Sequence, residues 1–198
     1  MRLPRPPVLL AAVGIAIAVA VTAGLIWLQL RGPGSVASVG GPFALVDQTG
    51  AARTDADFRG RWLLIYFGYT YCPDACPTAL NDMSIALEQL GAAAGRVTPA
   101  FITIDPARDT PARLEDYVTH FHPRLVGLTG SAAAVAAVAK AYRVYFARAP
   151  GAAEAAPDYL MDHSSIIYLI DPSGRYVTHF THNSGPEQIV AGLRKAMG

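Results

Sequence analysis

The sequence predicts an α/β sandwich with an apolar N-terminal helix ahead of it. Three observations carry this. Apolar runs at residues 62–67, 100–104 and 166–170 alternate with segments whose apolar residues fall at helical spacing. An Asp171-Pro172-Ser173-Gly174 turn joins the last run to residues 176–180, as in a β-hairpin. Residues 8–30 contain no charged side chain.

From the N-terminus, residues 1–7 carry Arg2 and Arg5 and are expected to be cytosolic. As a helix, residues 8–30 span roughly 34 Å at ~1.5 Å per residue, against about 30 Å of bilayer core. Trp27 suits an interfacial anchor, and the positive-inside rule places the rest of the chain outside the cytosol. Val21-Thr22-Ala23 is an acceptable cleavage site, but the apolar run continues through Leu25, Ile26, Trp27 and Leu28. The expectation is therefore an uncleaved transmembrane anchor. Residues 31–42 are glycine-rich and read as a linker. Residues 43–198 form the globular domain.

Within that domain, residues 43–46 are a short strand turning at Gln48-Thr49-Gly50. Residues 62–67 are a strand apolar on both faces. Leu80, Met83, Leu87 and Leu90 mark a helix expected to open at Pro73 and stop at Gly91. Residues 100–104 are a second buried strand. Thr110-Pro111 caps and opens another helix, followed by a strand at 125–128 and an alanine-rich helix capped by Ser131. Residues 144–146 read as a strand and 151–157 as a small-residue loop. After the hairpin, residues 186–197 form a closing helix. Strand–helix–strand–helix followed by hairpin and helix is the chain order of a thioredoxin-like sandwich.

The near-neutral charge of +1, with no basic stripe, excludes nucleic-acid binding. The chain has two cysteines, Cys72 and Cys76, at the corner between the first apolar strand and its helix. Outside the cytosol a lone pair ordinarily reads as a structural disulfide. A loop this short removes little chain entropy, so the pair is a poor staple. Redox exchange and metal binding suit it better, since a helix N-terminus favours thiolate. Two sulfurs one helical turn apart share a face and suit a soft ion, Cu(I) above all. Asp74 between them opposes thiolate formation by its charge.

A two-sulfur site wants a third ligand. His163, in Asp162-His163-Ser164-Ser165, is expected on the loop entering the strand at 166–170. In a thioredoxin-type sheet that loop faces the cysteine corner. The slot near Ser165, where such folds carry a cis-proline, holds none here. The remaining candidates have competing explanations. His120 and His122 fit a helix end, His179 and His182 a hairpin, and Met161 a loop. The run 105–110 concentrates charge as a salt-bridged helix start or as a functional surface.

The stretches Gly-Gly-Pro-Phe (40–43), Tyr-Phe-Gly-Tyr-Thr-Tyr-Cys-Pro-Asp-Ala-Cys-Pro (66–77), Asp-Pro-Ala-Arg-Asp-Thr-Pro (105–111), Leu-Thr-Gly (128–130), Asp-His-Ser-Ser (162–165) and Tyr-Leu-Ile-Asp-Pro-Ser-Gly (168–174) are shared with one family. In these the chain resembles the Sco/SenC copper chaperones of cytochrome oxidase assembly. The resemblance implies copper, Cu(I) or Cu(II), on Cys72, Cys76 and His163, and a redox disulfide between the cysteines. It also implies cytochrome c oxidase subunit II as partner, with a copper donor and a thiol reductant upstream. A bacterial inner-membrane protein with its domain in the periplasm is then expected, a metallochaperone rather than a turnover enzyme. A thiol–disulfide oxidoreductase and a thiol peroxidase are the alternatives. The segment 149–158 looks more alanine-rich than the family's partner-contacting segment.

Overall fold

The computed structural model describes residues 15–24, 39–150 and 158–198. Residues 15–24 are helical, here α1. The rest of the 8–30 run, residues 1–7, most of the 31–42 linker and the loop 151–157 lie outside the described residues. Among the described residues no helix is long and apolar enough to cross a membrane. The chain divides into two units, Met1–Ser38 and Val39–Gly198.

The second unit is built on a seven-stranded mixed sheet. The strands are β1 (Ala44–Asp47), β2 (Ala52–Thr54), β3 (Trp62–Gly68), β4 (Val97–Thr103), β5 (Val126–Thr129), β8 (Ile166–Ile170) and β9 (Tyr176–Thr181), in the order β2-β1-β5-β4-β3-β8-β9. β3, β4 and β5 run parallel, while β8 pairs antiparallel with β3. All seven residues of β3 are buried, as the apolar run predicts for a strand covered on both faces. The helices are α2 (Ala75–Leu90), α3 (Pro111–Val118), α4 (Ala132–Ala141) and α5 (Gly185–Met197). α2 packs on α5, α3 on β5, and α4 touches β1. This is the thioredoxin-like arrangement that the element order predicts.

The punctuation holds. Thr110 and Ser131 accept the backbone N–H of Arg113 and Ala134 and cap their helices. Gly91 ends α2 at φ 59°, and Gly174 at φ 83° lets its N–H reach the Asp171 carbonyl in the hairpin turn.

Two expectations are corrected. α2 opens at Ala75, with Asp74 as its N-cap, not at Pro73. A start at Pro73 would put Pro77 at the fifth helical position, where a missing N–H breaks the ladder and the ring clashes with the carbonyl four residues back. Starting at Ala75 puts Pro77 in the first turn, where no intrahelical donor is needed. His163 is not on a plain loop either. It ends β7 (Met161–His163), which pairs antiparallel with β6 (Phe146–Arg148) in a separate two-stranded ribbon. The sequence reading put β6 at 144–146. Strands of three residues carry too little alternation to reveal a period.

Candidate metal centre

β3 delivers the site. Its last residue, Gly68, leads into the loop Tyr69–Asp74, and Cys72 sits there with its N–H on the Tyr69 carbonyl at 3.2 Å. Cys76 lies in the first turn of α2 and is fully buried, whereas Cys72 is half-buried. The sulfurs therefore meet across a loop–helix junction, not along one helix face. The Cys76 N–H points at the Cys72 sulfur at 3.4 Å, the use of a free helix N-terminal donor that the position invites. The Cys76 sulfur is 3.5 Å from Nε2 of His163. The two sulfurs and a His163 ring nitrogen all lie within 4.8 Å of one another. Among the described residues no other group of three His, Cys, Asp or Glu side chains converges in this way.

Charge is divided unequally between the thiols. The Cys76 thiol donates to Cys72, and that hydrogen bond is the main force taking the Cys72 pKa down to about 3. Contact with His163 and the N–H groups of Asp74 and Cys76 add to it, against the cost of burial. Asp74 thus contributes its backbone donor at the site. Cys76 is pushed up, first because it supplies that hydrogen bond and then by burial. Thiolate character is thus favoured at Cys72 over Cys76.

This has a measurable consequence. A thiol whose pKa is lowered stays thiolate at every pH above the lowered value and is protonated only as pH falls through it. Alkylation of the reduced apo chain is expected to occur first at Cys72, with a rate nearly constant from about pH 5 to 8. An ordinary thiol would slow roughly tenfold per unit below its pKa of about 8.5. Rate against pH, with the modified residue located by mass spectrometry, checks this; a tenfold fall per unit at Cys72 would refute it.

The surroundings fix the three groups. The His163 ring stands edge-on to Tyr66 and Tyr69, with centroids at 6.1 and 5.9 Å, and its Nδ1 lies 3.2 Å from the Ser164 carbonyl oxygen. The Tyr69 hydroxyl accepts the Met161 N–H at 3.1 Å, tying the cysteine loop to β7. The charged run 105–110 is an internal clasp. Asp109, fully buried, accepts the N–H and hydroxyl of Thr70 at 3.0 and 2.7 Å and the Thr103 hydroxyl at 2.6 Å. Asp105 accepts the Tyr159 hydroxyl at 2.6 Å and pairs with Arg108. The Arg108 guanidinium lies over the rings of Tyr159 and Tyr71, 3.5 and 4.4 Å from their centroids.

Among the described residues, no other histidine joins the sulfurs in a converging group. His122 accepts the Arg124 N–H at 3.1 Å, past the end of α3, and His179 stacks on Tyr176 with a 2.6 Å contact to its hydroxyl. His120 and His182 belong to no converging group, and Met161 lines a separate cavity with Phe146. Sequence reasoning missed Tyr66, Tyr69 and Gly68. A Cβ on Gly68 would lie 2.7 Å from the Cys76 sulfur and 2.9 Å from the Phe101 ring. A glycine closing an otherwise bulky strand was the available signal.

Comparison with known proteins follows the same residues. The SCO1/SenC family model matches residues 32–198. The chain is similar to the mitochondrial SCO2 homolog of Bos taurus, 46% identical over 164 residues, 81% of this chain and 61% of that protein. The match thus spans less than two thirds of that relative's length. It is similar to the structure of Bradyrhizobium japonicum ScoI with copper bound, at 45% identity and TM-score 0.72, covering 80% of this chain and 99% of that one. Yeast Sco1 with copper bound matches at 40% identity and TM-score 0.74, covering 81% and 88%. Family match, fold and the converged cysteine–cysteine–histidine group agree: the chain belongs to the SCO1/SenC family.

Proposed function

We propose that this chain is a membrane-anchored copper metallochaperone. Cys72, Cys76 and His163 bind one copper ion, which then passes by ligand exchange to the binuclear copper site of cytochrome c oxidase subunit II. The observation that carries this is the convergence of two sulfurs and an imidazole within 4.8 Å. Thiolates prefer soft Cu(I), and imidazole makes the set tolerant of Cu(II). The lowered Cys72 pKa favours its thiolate, the form that binds metal. Copper-bound structures of similar family members support the choice of metal. Metal analysis of the reduced full chain tests it, with loading of the oxidase copper centre followed in a strain lacking the protein. One copper per chain and loss of centre assembly are expected. A chain that binds no copper would overturn the reading.

A second reading, thiol–disulfide exchange on the same target, is favoured by the lowered Cys72 pKa. Releasing copper leaves both sulfurs free to form a disulfide, so the two readings share residues. A thiol peroxidase has less support, because the nearby Arg108 is engaged by Asp105.

The anchor, residues 8–30, and the linker, 31–42, remain part of the proposal, with the domain on the periplasmic side of a bacterial inner membrane. The uncharged run after Arg2 and Arg5 and the helical residues 15–24 support it. Protease added to intact spheroplasts is expected to digest the domain. Protection until lysis would reverse the topology.

A further inference from the structure

Tyr66 flanks the cysteine–histidine group and, among the described residues, is one of two tyrosines with a buried, unpaired hydroxyl. Strand alternation puts Tyr66 and Gly68 on one face of β3. A Cβ at Gly68 would lie 3.1 Å from the edge of the Tyr66 ring and 2.7 Å from the Cys76 sulfur, so ring edge and sulfur are neighbours across that glycine. The same ring stands edge-on to His163. Tyr66 is 1% exposed, and its hydroxyl makes no hydrogen bond of normal geometry, with Ser165 and the Cys76 sulfur as polar neighbours. An orphaned buried hydroxyl is costly and asks for an explanation.

The state of Cys76 supplies one. With its S–H intact, a cysteine sulfur is a weak acceptor. Copper binding breaks that S–H bond, forms S–Cu, and releases the proton to bulk water. The sulfur then carries thiolate charge, a far better acceptor. A phenol is protonated at neutral pH and so has a hydrogen to donate. We propose that Tyr66 is a positioning residue whose hydroxyl donates to the Cys76 sulfur of the copper-bound site and thereby favours Cu(I) over Cu(II). A donor at the sulfur withdraws electron density from the metal, which stabilises the electron-rich ion.

This inference rests on the proposed copper reading, and Tyr66→Phe in the full chain tests it. The variant removes only the orphaned oxygen, so apo stability is expected not to fall. Copper stoichiometry should stay at one. The ratio of Cu(I) to Cu(II) affinity should drop about tenfold, the worth of one charge-assisted hydrogen bond, which is ~59 mV in the one-electron potential. The sulfur-to-Cu(II) charge-transfer band should move to lower energy. The dithiol–disulfide potential of the metal-free chain should stay unchanged, because without copper the Cys76 sulfur carries no thiolate charge for the phenol to meet. An unchanged band and potential at full copper loading would overturn this inference and leave the copper reading standing. A parent chain that binds no copper would overturn the copper reading and this inference with it. Ser165→Ala is the control, since Ser165 is the other polar neighbour of the phenol. Reproduction of the same shifts by that variant would show that the hydroxyl serves Ser165, and would also overturn the proposal.

Discussion

Replacement of His163 by alanine is expected to leave a folded chain that forms the Cys72–Cys76 disulfide and fails at copper. The ring packs edge-on against Tyr66 and Tyr69. At about 0.5–1.5 kcal/mol per aromatic contact, its loss should cost roughly 1–3 kcal/mol of stability. That is tolerable in a domain whose core lies elsewhere, among β3, β4 and β8. Cu(II) affinity should fall by more than about a hundredfold, beyond the ~10–100-fold typical for losing an outer partner of a metal ligand. Cu(I), satisfied by two thiolates, should suffer less. Cys72→Ser and Cys76→Ser should lose copper and disulfide together. Copper stoichiometry of the three variants, beside oxidase assembly in a complemented strain, separates the two readings. Assembly that survives in His163→Ala despite lost copper would favour plain thiol exchange. Parental copper binding and assembly in that variant would remove His163 from the site.

Gly68→Ala should damage the centre without touching a ligand. Its new methyl would sit 2.7 Å from the Cys76 sulfur, 2.9 Å from a Phe101 ring carbon and 3.1 Å from a Tyr66 ring carbon. No contact of that length survives in a packed core, so something must move. Overpacking of this kind costs about 1–3 kcal/mol. The sulfur lies closest and can swing with its side chain, so it is expected to shift away from Cys72 and His163. Thermal unfolding and copper titration measure the two effects. A moderate loss of stability with a roughly 10–100-fold loss of copper affinity is the expected result. Full affinity in a stable Gly68→Ala chain would mean that the sulfur has room the structure does not show.

Much of the framework was legible before any coordinates. The double-sided apolar run at β3 predicted a strand covered on both faces, and Gly91, Thr110, Ser131 and the 171–174 turn set element ends by local chemistry. These are short-range effects of backbone conformation and unpaired helix groups, and a sequence carries them directly. The three side chains that converge were legible for a similar reason. Cysteine, a second cysteine and a histidine before a strand are chemically distinctive wherever they occur.

The sequence by itself determined the strand–helix framework and which side chains could bind a soft metal. Tertiary structure alone decided how they meet. Pro77 shifted the start of α2 to Ala75, so that one sulfur comes from a loop and the other from a helix. The β6–β7 ribbon and the Tyr69–Met161 bond carried His163 to the sulfurs across 87 residues of chain. The run 105–110, ambiguous as text, became a buried clasp on Thr70. Gly68 and Tyr66 gained their importance only because the Cys76 sulfur packs against Gly68 and beside His163. Contacts between residues far apart in sequence leave no period to read, because what selects them is close packing in three dimensions.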